Sequence, residues 1–204
     1  DEWELDIVAS GSQKGYMIPP GLSFISVSEK AWKSIERSNL PKFYLDLKSY
    51  KKSLINDSNP FTPSVNLMFA LDEALRMMKE EGLKNIFQKH ERHKLAISEA
   101  AKKLHLKLFA TQESLSPSIT AIETQNFDAE SFRKSIQNKY DIQLAGGQDH
   151  LKGKIFRVGH LGYINDRDII SAITAIGLTL YEKNIVDEND IGQALIEAKK
   201  HLEG

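Results

Sequence analysis

The stretch "SGSQKGYMIPPG", Ser10 to Gly21, decides how this chain is read. An apolar run, Leu5 to Ala9, leads into it and predicts a buried strand ended by Gly11. Leu22 to Val27 alternates and predicts a second strand. Between the two, Lys14 stands among small residues and is followed by a Pro-Pro-Gly stop. Most lysines are solvated surface charges. A lysine that attacks a carbonyl needs a free amine, partly desolvated or set near other positive charge. Gly11, Ser12 and Gly15 would let backbone approach an anionic group, and Gln13 adds an amide donor suited to a phosphate oxygen.

Such a turn suits an amine held beside a phosphorylated carbonyl compound, and pyridoxal phosphate is the candidate of that class. Composition leaves room for it. The 204 residues carry 27 basic and 28 acidic side chains, a balance that lacks the basic surplus of a nucleic-acid footprint. There is no cysteine, hence no disulfide, thiolate zinc site or cysteine nucleophile, which fits a reducing compartment. No apolar run approaches the roughly 20 residues of a membrane span. The chain opens on Asp1 rather than methionine and enters a strand almost at once, so a C-terminal fragment of a longer protein is expected.

Working outward, Ser28 predicts a cap for a helix over 29–37, and Lys42 to Leu54 holds one further helix. The breaker cluster Asn59-Pro60-Phe61-Thr62-Pro63 opens a periodic helix over 64–81. Gly82 ends it, and a second long helix spans 83–104, so a domain boundary is expected there. Strands are predicted at 106–110, 118–124, 142–144 and 154–158. Helices are predicted at 129–139 behind Asp128, at 167–181 behind Asn165-Asp166, and from Asp187 or Asn189 onward. This order makes an α/β or α+β sandwich.

The segment Asp6 to Gly21, "DIVASGSQKGYMIPPG", resembles the lysine segment of the class V, fold-type I aminotransferases. The nearest types are the serine–pyruvate and alanine–glyoxylate aminotransferases, including proteins labelled the small subunit of a soluble hydrogenase. The resemblance implies an α/β fold of the fold-type I transferases that use pyridoxal 5'-phosphate. Residues 1–82 would be the C-terminal part of the large cofactor-binding domain and 83–204 the small α/β C-terminal domain. Lys14 would carry the cofactor as a Schiff base, and Gln13 would contact its phosphate. "NPFTPSVNLMFALDEAL", Asn59 to Leu75, resembles the segment whose threonine reaches the phosphate in the neighbouring subunit. Thr62 takes that position, and Asn59 stands where some members have a tyrosine. "GKIFRVGHLG", Gly153 to Gly162, resembles the segment whose arginine grips the substrate carboxylate, and Arg157 takes that position. A guanidinium suits a carboxylate through two parallel hydrogen bonds.

The same resemblance implies a cytoplasmic homodimer with shared active sites. It would move an amino group from a small amino acid, alanine or serine, to a 2-oxo acid, glyoxylate or pyruvate, with Lys14 as the proton-transfer base. Other donors, aspartate among them, are used in the wider family. The family's ring-pairing acid, stacking aromatic and glycine-rich phosphate turn lie upstream of the lysine strand, so the fragment alone is expected to be inactive.

Plainer readings stand beside these. Arg157 also fits a strand arginine paired with a nearby acid, and Thr62 a helix N-cap. Cysteine desulfurases share the fold, but they use a cysteine and place histidine before the lysine. A non-enzymatic interaction module is a third class, separated from the others by cofactor binding. His90 and His93 are spaced for a shared helix face, yet no third ligand stands out, so a solvated face and no metal are expected. Ala145-Gly146-Gly147 reads as a turn, and the resemblance implies that it lies near the active-site entrance. Tyr16 and His160 shape either the pocket or local packing, and Lys48 to Lys52 reads as a surface patch.

Overall fold

Helix ends written into the sequence appear where their caps stand. The computed structural model describes residues 2–203. The chain divides into two units, Asp1–Glu80 and Glu81–Gly204.

In the first unit, β1 (Ile7–Gly11) pairs antiparallel with β2 (Ser23–Val27), with Ile7 opposite Val27 and Gly11 opposite Ser23. The Ser28 hydroxyl caps α1 (Glu29–Arg37) by accepting from the Ala31 amide, and donates to Asp6 at 2.7 Å. Lys30 Nζ meets the other Asp6 oxygen at 2.7 Å, so the start of α1 is clasped to the start of the hairpin. Helix α2 (Leu47–Leu54) begins at a capping Asp46. Lys51 lies over the Trp32 ring, and Lys48 donates to the Glu36 carbonyl, so the basic patch is tied to α1. Helix α3 (Val65–Glu81) closes the unit. The expectation that β1 is buried is corrected here: Ile7 and Val8 are 54% and 44% exposed. A two-stranded ribbon covers neither of its own faces, and among the described residues only Ile18, Ala31 and Ala74 are buried apolar residues of this unit.

The second unit carries the hydrophobic core. Gly82 precedes α4 (Leu83–Lys103) at φ +82°, a region that glycine enters at least cost. Four antiparallel strands come next, in the order β3-β4-β6-β5. They are β3 (Lys107–Leu108), β4 (Ile119–Glu123), β5 (Ala145–Gly146) and β6 (Ile155–Gly159). Thr120 and Ile122 of β4 stand opposite Val158 and Phe156 of β6, and all four are buried on one face. Helix α5 (Ala129–Tyr140), capped by Asp128, packs Phe132 against Phe156 at 5.1 Å between ring centres. Helices α6 (Asp166–Glu182) and α7 (Glu188–Leu202) complete the helical layer, each opened by a capping box, from Asn165 and from Asp187. The expected strand at 142–144 is displaced to Ala145–Gly146. Asp141 ends α5 in the left-handed region, and the Leu144 carbonyl is taken by Arg133 rather than by a strand.

The solvated reading of His90 and His93 is also corrected. His93 is fully buried and meets Asp166 at 2.9 Å, which ties α4 to the first turn of α6, and His90 is buried beside it. Among the described residues no group of three or more His, Cys, Asp or Glu is placed to hold a metal. Nor is any described helix long and apolar enough to cross a membrane.

His160 is fully buried between the Thr120 hydroxyl (2.9 Å) and the Pro117 carbonyl (3.1 Å). Burial, with smaller contributions from His93 and His90, pushes its imidazole down to about 4, against the opposing hydrogen bond to Pro117. Between its unfolded value near 6.5 and that folded value, the unfolded chain binds more protons. Stability from His160 is therefore complete above about pH 6.5 and is lost as pH falls toward 4. Urea unfolding should show about 2 kcal/mol less stability at pH 5 than at pH 7.5 from this group. The measurement is the difference between the native protein and its His160→Gln variant across that range. Equal slopes in the two would remove His160 as the source.

Candidate functional site

The lysine turn is built around Ser12, which is fully buried. Its backbone amide donates to the Leu22 carbonyl at 3.0 Å, and its hydroxyl donates to the Pro19 carbonyl at 2.7 Å. The same hydroxyl accepts from the Leu22 amide at 3.2 Å. The Ser12 side chain thus staples the far end of the loop back to its start, while Gln13, Lys14 and Gly15 stay exposed and Ile18 is buried. Lys14 N donates to Gly11 O, and Met17 N to Lys14 O, so the lysine occupies consecutive tight turns. The Gln13 amide folds over Gly11, where a Cβ would come within 2.8 Å of its oxygen. Gly15 faces open space, so the close approach expected of it belongs to Gly11. Tyr16 packs on Phe24 at 4.4 Å between ring centres.

Lys14 is exposed, and among the described residues its amine has neither an ion pair nor a hydrogen bond. An uncommitted amine next to an amide donor, on a backbone fixed by a buried serine, can meet an aldehyde that also carries a phosphate; the desolvation expected of such an amine is not supplied within this unit, where Lys14 is exposed. Ser12 had no periodic signal in the sequence. Its partners lie seven and ten residues away, and only the closed loop reveals them.

Thr62 lies in the same unit, in the loop before α3, and is exposed. It is not the N-cap: the helix begins at Val65, and Met68 N donates to Ser64 O. Asn59, Pro60, Phe61 and Thr62 line a shallow open cavity of about 700 Å³. Behind the loop, Tyr44 and Phe43 pack on Phe61 with ring centres 4.8 and 5.5 Å away.

Arg157 belongs to the second unit, at the middle of β6 and on the face opposite Phe156 and Val158. Its cross-strand neighbours on that face are Ala121 and Ala145, both too small to cover it. The guanidinium is half-buried, and Nε donates to the Gly146 carbonyl at 2.8 Å. Among the described residues no acid pairs with it, which removes the strand ion-pair alternative. Its terminal nitrogens are left to meet a planar anion side by side. Lys14 and Gln13 thus share one turn, Thr62 precedes α3, and Arg157 stands in the other unit.

Similar proteins cover most of this chain. The Synechococcus protein named soluble hydrogenase, small subunit, is 56% identical over 182 residues, covering 89% of this chain and 47% of that protein. The serine–glyoxylate aminotransferase of Methylorubrum extorquens is 34% identical over 192 residues, covering 91% of this chain and 48% of the relative. Pyridoxamine–pyruvate aminotransferase from Mesorhizobium loti superimposes with a TM-score of 0.90 at 27% identity, over 97% of this chain and 52% of that structure. The chain therefore spans about half the length of the curated relatives it matches, in the α/β fold-type I architecture of pyridoxal-phosphate aminotransferases. The family model described as Aminotransferase class-V matches residues 1–162, which include the lysine turn, the Thr62 loop and β6, and the chain belongs to that family.

Proposed function

We propose that this chain is the lysine-bearing and carboxylate-binding half of a pyridoxal-phosphate-dependent transaminase. The amino group would pass from a small amino acid, alanine or serine, to glyoxylate or pyruvate. The observation that carries this reading is the uncommitted amine of Lys14 on a turn locked by Ser12. Support for the substrate class comes from relatives named for serine and glyoxylate and for pyruvate. The unit up to Glu80 would belong to the large cofactor-binding domain, and the unit from Glu81 would be the small domain. A cytoplasmic setting is part of the same reading.

Lys14 would hold the cofactor covalently, Gln13 would donate to its phosphate, and Thr62 would reach the phosphate bound by a second subunit. A residue donated across in this way requires a two-fold dimer with an isologous interface. Pyridoxal phosphate, when bound, supplies a ring that delocalises the electron pair left at the α-carbon. Arg157 would take the substrate carboxylate on its terminal nitrogens and so fix the direction of the α-hydrogen. The Lys14 amine, displaced by the incoming amino group, would be free to act as the base that takes that α-proton and as the acid that gives it back.

The test is to load the full-length protein with pyridoxal phosphate, reduce it with borohydride and map the modified peptide by mass spectrometry. A pyridoxyl group on Lys14 is the expected result. A folded protein with no adduct, or with its adduct on another lysine, would overturn the reading and leave an interaction module of the same fold.

A further inference from the structure

A short chain of contacts runs from α5 to Arg157 through the backbone of the edge strand. Arg133 of α5 donates from Nε to the Leu144 carbonyl at 2.7 Å, and from Nη1 to Glu130 at 2.8 Å. The ion pair lies directly against Gly146. A Cβ added there would come within 2.6 Å of Glu130 Oε1 and 2.7 Å of Arg133 Nη1. Gly146 stands opposite Phe156, so the pair presses on β5 from the helix side of the sheet. On the other side of the sheet, the Gly146 carbonyl accepts from Arg157 Nε at 2.8 Å.

Strand β5 has only Ala145 and Gly146 in its ladder, and it lies at the sheet edge with one neighbouring strand. An edge ladder this short fixes a carbonyl poorly by itself. Two further restraints hold it. Gly147 donates to the Ile155 carbonyl at 3.2 Å, and a Cβ on Gly147 would fall 2.1 Å from the Leu151 carbonyl, so the chain turns tightly there. Arg133 supplies the other restraint, one residue before the ladder begins.

We infer that Arg133, braced by Glu130, is a positioning residue: it fixes the β5 backbone so that the Gly146 carbonyl aims the guanidinium of Arg157 at the substrate carboxylate. The inference rests on the reading of Arg157 as the carboxylate site. A guanidinium anchored at Nε has one remaining plane and one remaining edge. It meets a carboxylate in a single orientation, and losing the anchor lets it swing. Arg133 touches no substrate in this scheme and acts only through Arg157.

The test is a double-mutant cycle in the full-length holoenzyme, using Arg133→Met and Arg157→Ala, with kinetics for amino donor and oxo-acid acceptor. Arg133→Met should raise KM for both by about tenfold and change kcat by less than about twofold. In the Arg157→Ala background, Arg133→Met should change kcat/KM by less than about twofold, because the residue it positions is gone. The linear regime at low substrate gives kcat/KM even where saturation is lost. Equal fold-changes in the two backgrounds would show that Arg133 acts independently of Arg157 and overturn the inference. If Arg157→Ala itself leaves KM unchanged, the carboxylate reading fails, and the inference with it. If Arg157→Ala raises KM and Arg133→Met does not, the inference fails alone. Should Arg133→Met not fold, Glu130→Gln removes the brace on Arg133 and leaves β5 itself unchanged, and the same cycle is read with it.

Discussion

Lys14→Ala in the full-length protein is expected to abolish the proposed transamination and the covalent retention of pyridoxal phosphate, while leaving the fold intact. The two outcomes have separate causes. Lys14 is exposed and its amine bonds to nothing among the described residues, so truncation removes no packing and no buried partner. Such surface substitutions change stability by less than about 0.5 kcal/mol. The turn stays closed because Ser12, and not Lys14, staples it. Turnover, by contrast, would lose both the proposed covalent anchor and the proposed base that moves the α-proton. A positioned base alone is worth about two to four orders of magnitude, so the variant should fall to background. Lys14→Arg is the informative companion, since it keeps the charge but not an amine that can attack a carbonyl. Both variants should melt with the native protein and show no turnover. Retained turnover in either one would sink the assignment of Lys14.

Local signals were legible in the sequence because they act over a few residues. Ser28 and Asp128 cap α1 and α5 where a hydroxyl or carboxylate meets a free amide, and Asn165 and Asp187 open α6 and α7 in the same way. The family resemblance placed Lys14, Gln13, Thr62 and Arg157 on the chain, but not their contacts. What stayed hidden depends on distant backbone. His90 and His93 lie in a charge-dense segment, yet they share a helical row with Ile97 and Ala100, and that row faces the core. The charges around them are balanced locally, with Lys89 pairing Glu81 and Lys94 pairing Glu91. Periodicity would have shown this burial where composition concealed it. The bracing of Arg157 through Gly146, Leu144 and Arg133 passes through main-chain carbonyls, which leave no mark on side-chain identity. The exposure of β1 was equally invisible, because its apolar run is that of a covered strand.

Arg157→Ala carries the second large effect, and its signature differs from that of Lys14. The guanidinium is half-buried, fixed at Nε, flanked by Ala121 and Ala145, and unpaired by any acid among the described residues. The Gly146 carbonyl takes only Nε, so the two terminal nitrogens stay available to an anion. Truncation of one partner of a buried charged hydrogen-bond pair costs about 2–5 kcal/mol, so KM for amino acid and oxo acid alike should rise by about thirtyfold or more. Both substrates are affected because both present the same carboxylate. The borohydride-fixed pyridoxyl group on Lys14 should survive, since Lys14 and Arg157 belong to different units. Arg157→Lys should recover only part of the loss, because an ammonium can attract a carboxylate but cannot hold it by two parallel bonds. An amine substrate lacking a carboxylate should react equally with the native protein and with Arg157→Ala, which isolates the guanidinium from every other part of the site. An unchanged KM for carboxylate substrates would mean that the anion is bound elsewhere, and the open face of β6 would then need a different occupant.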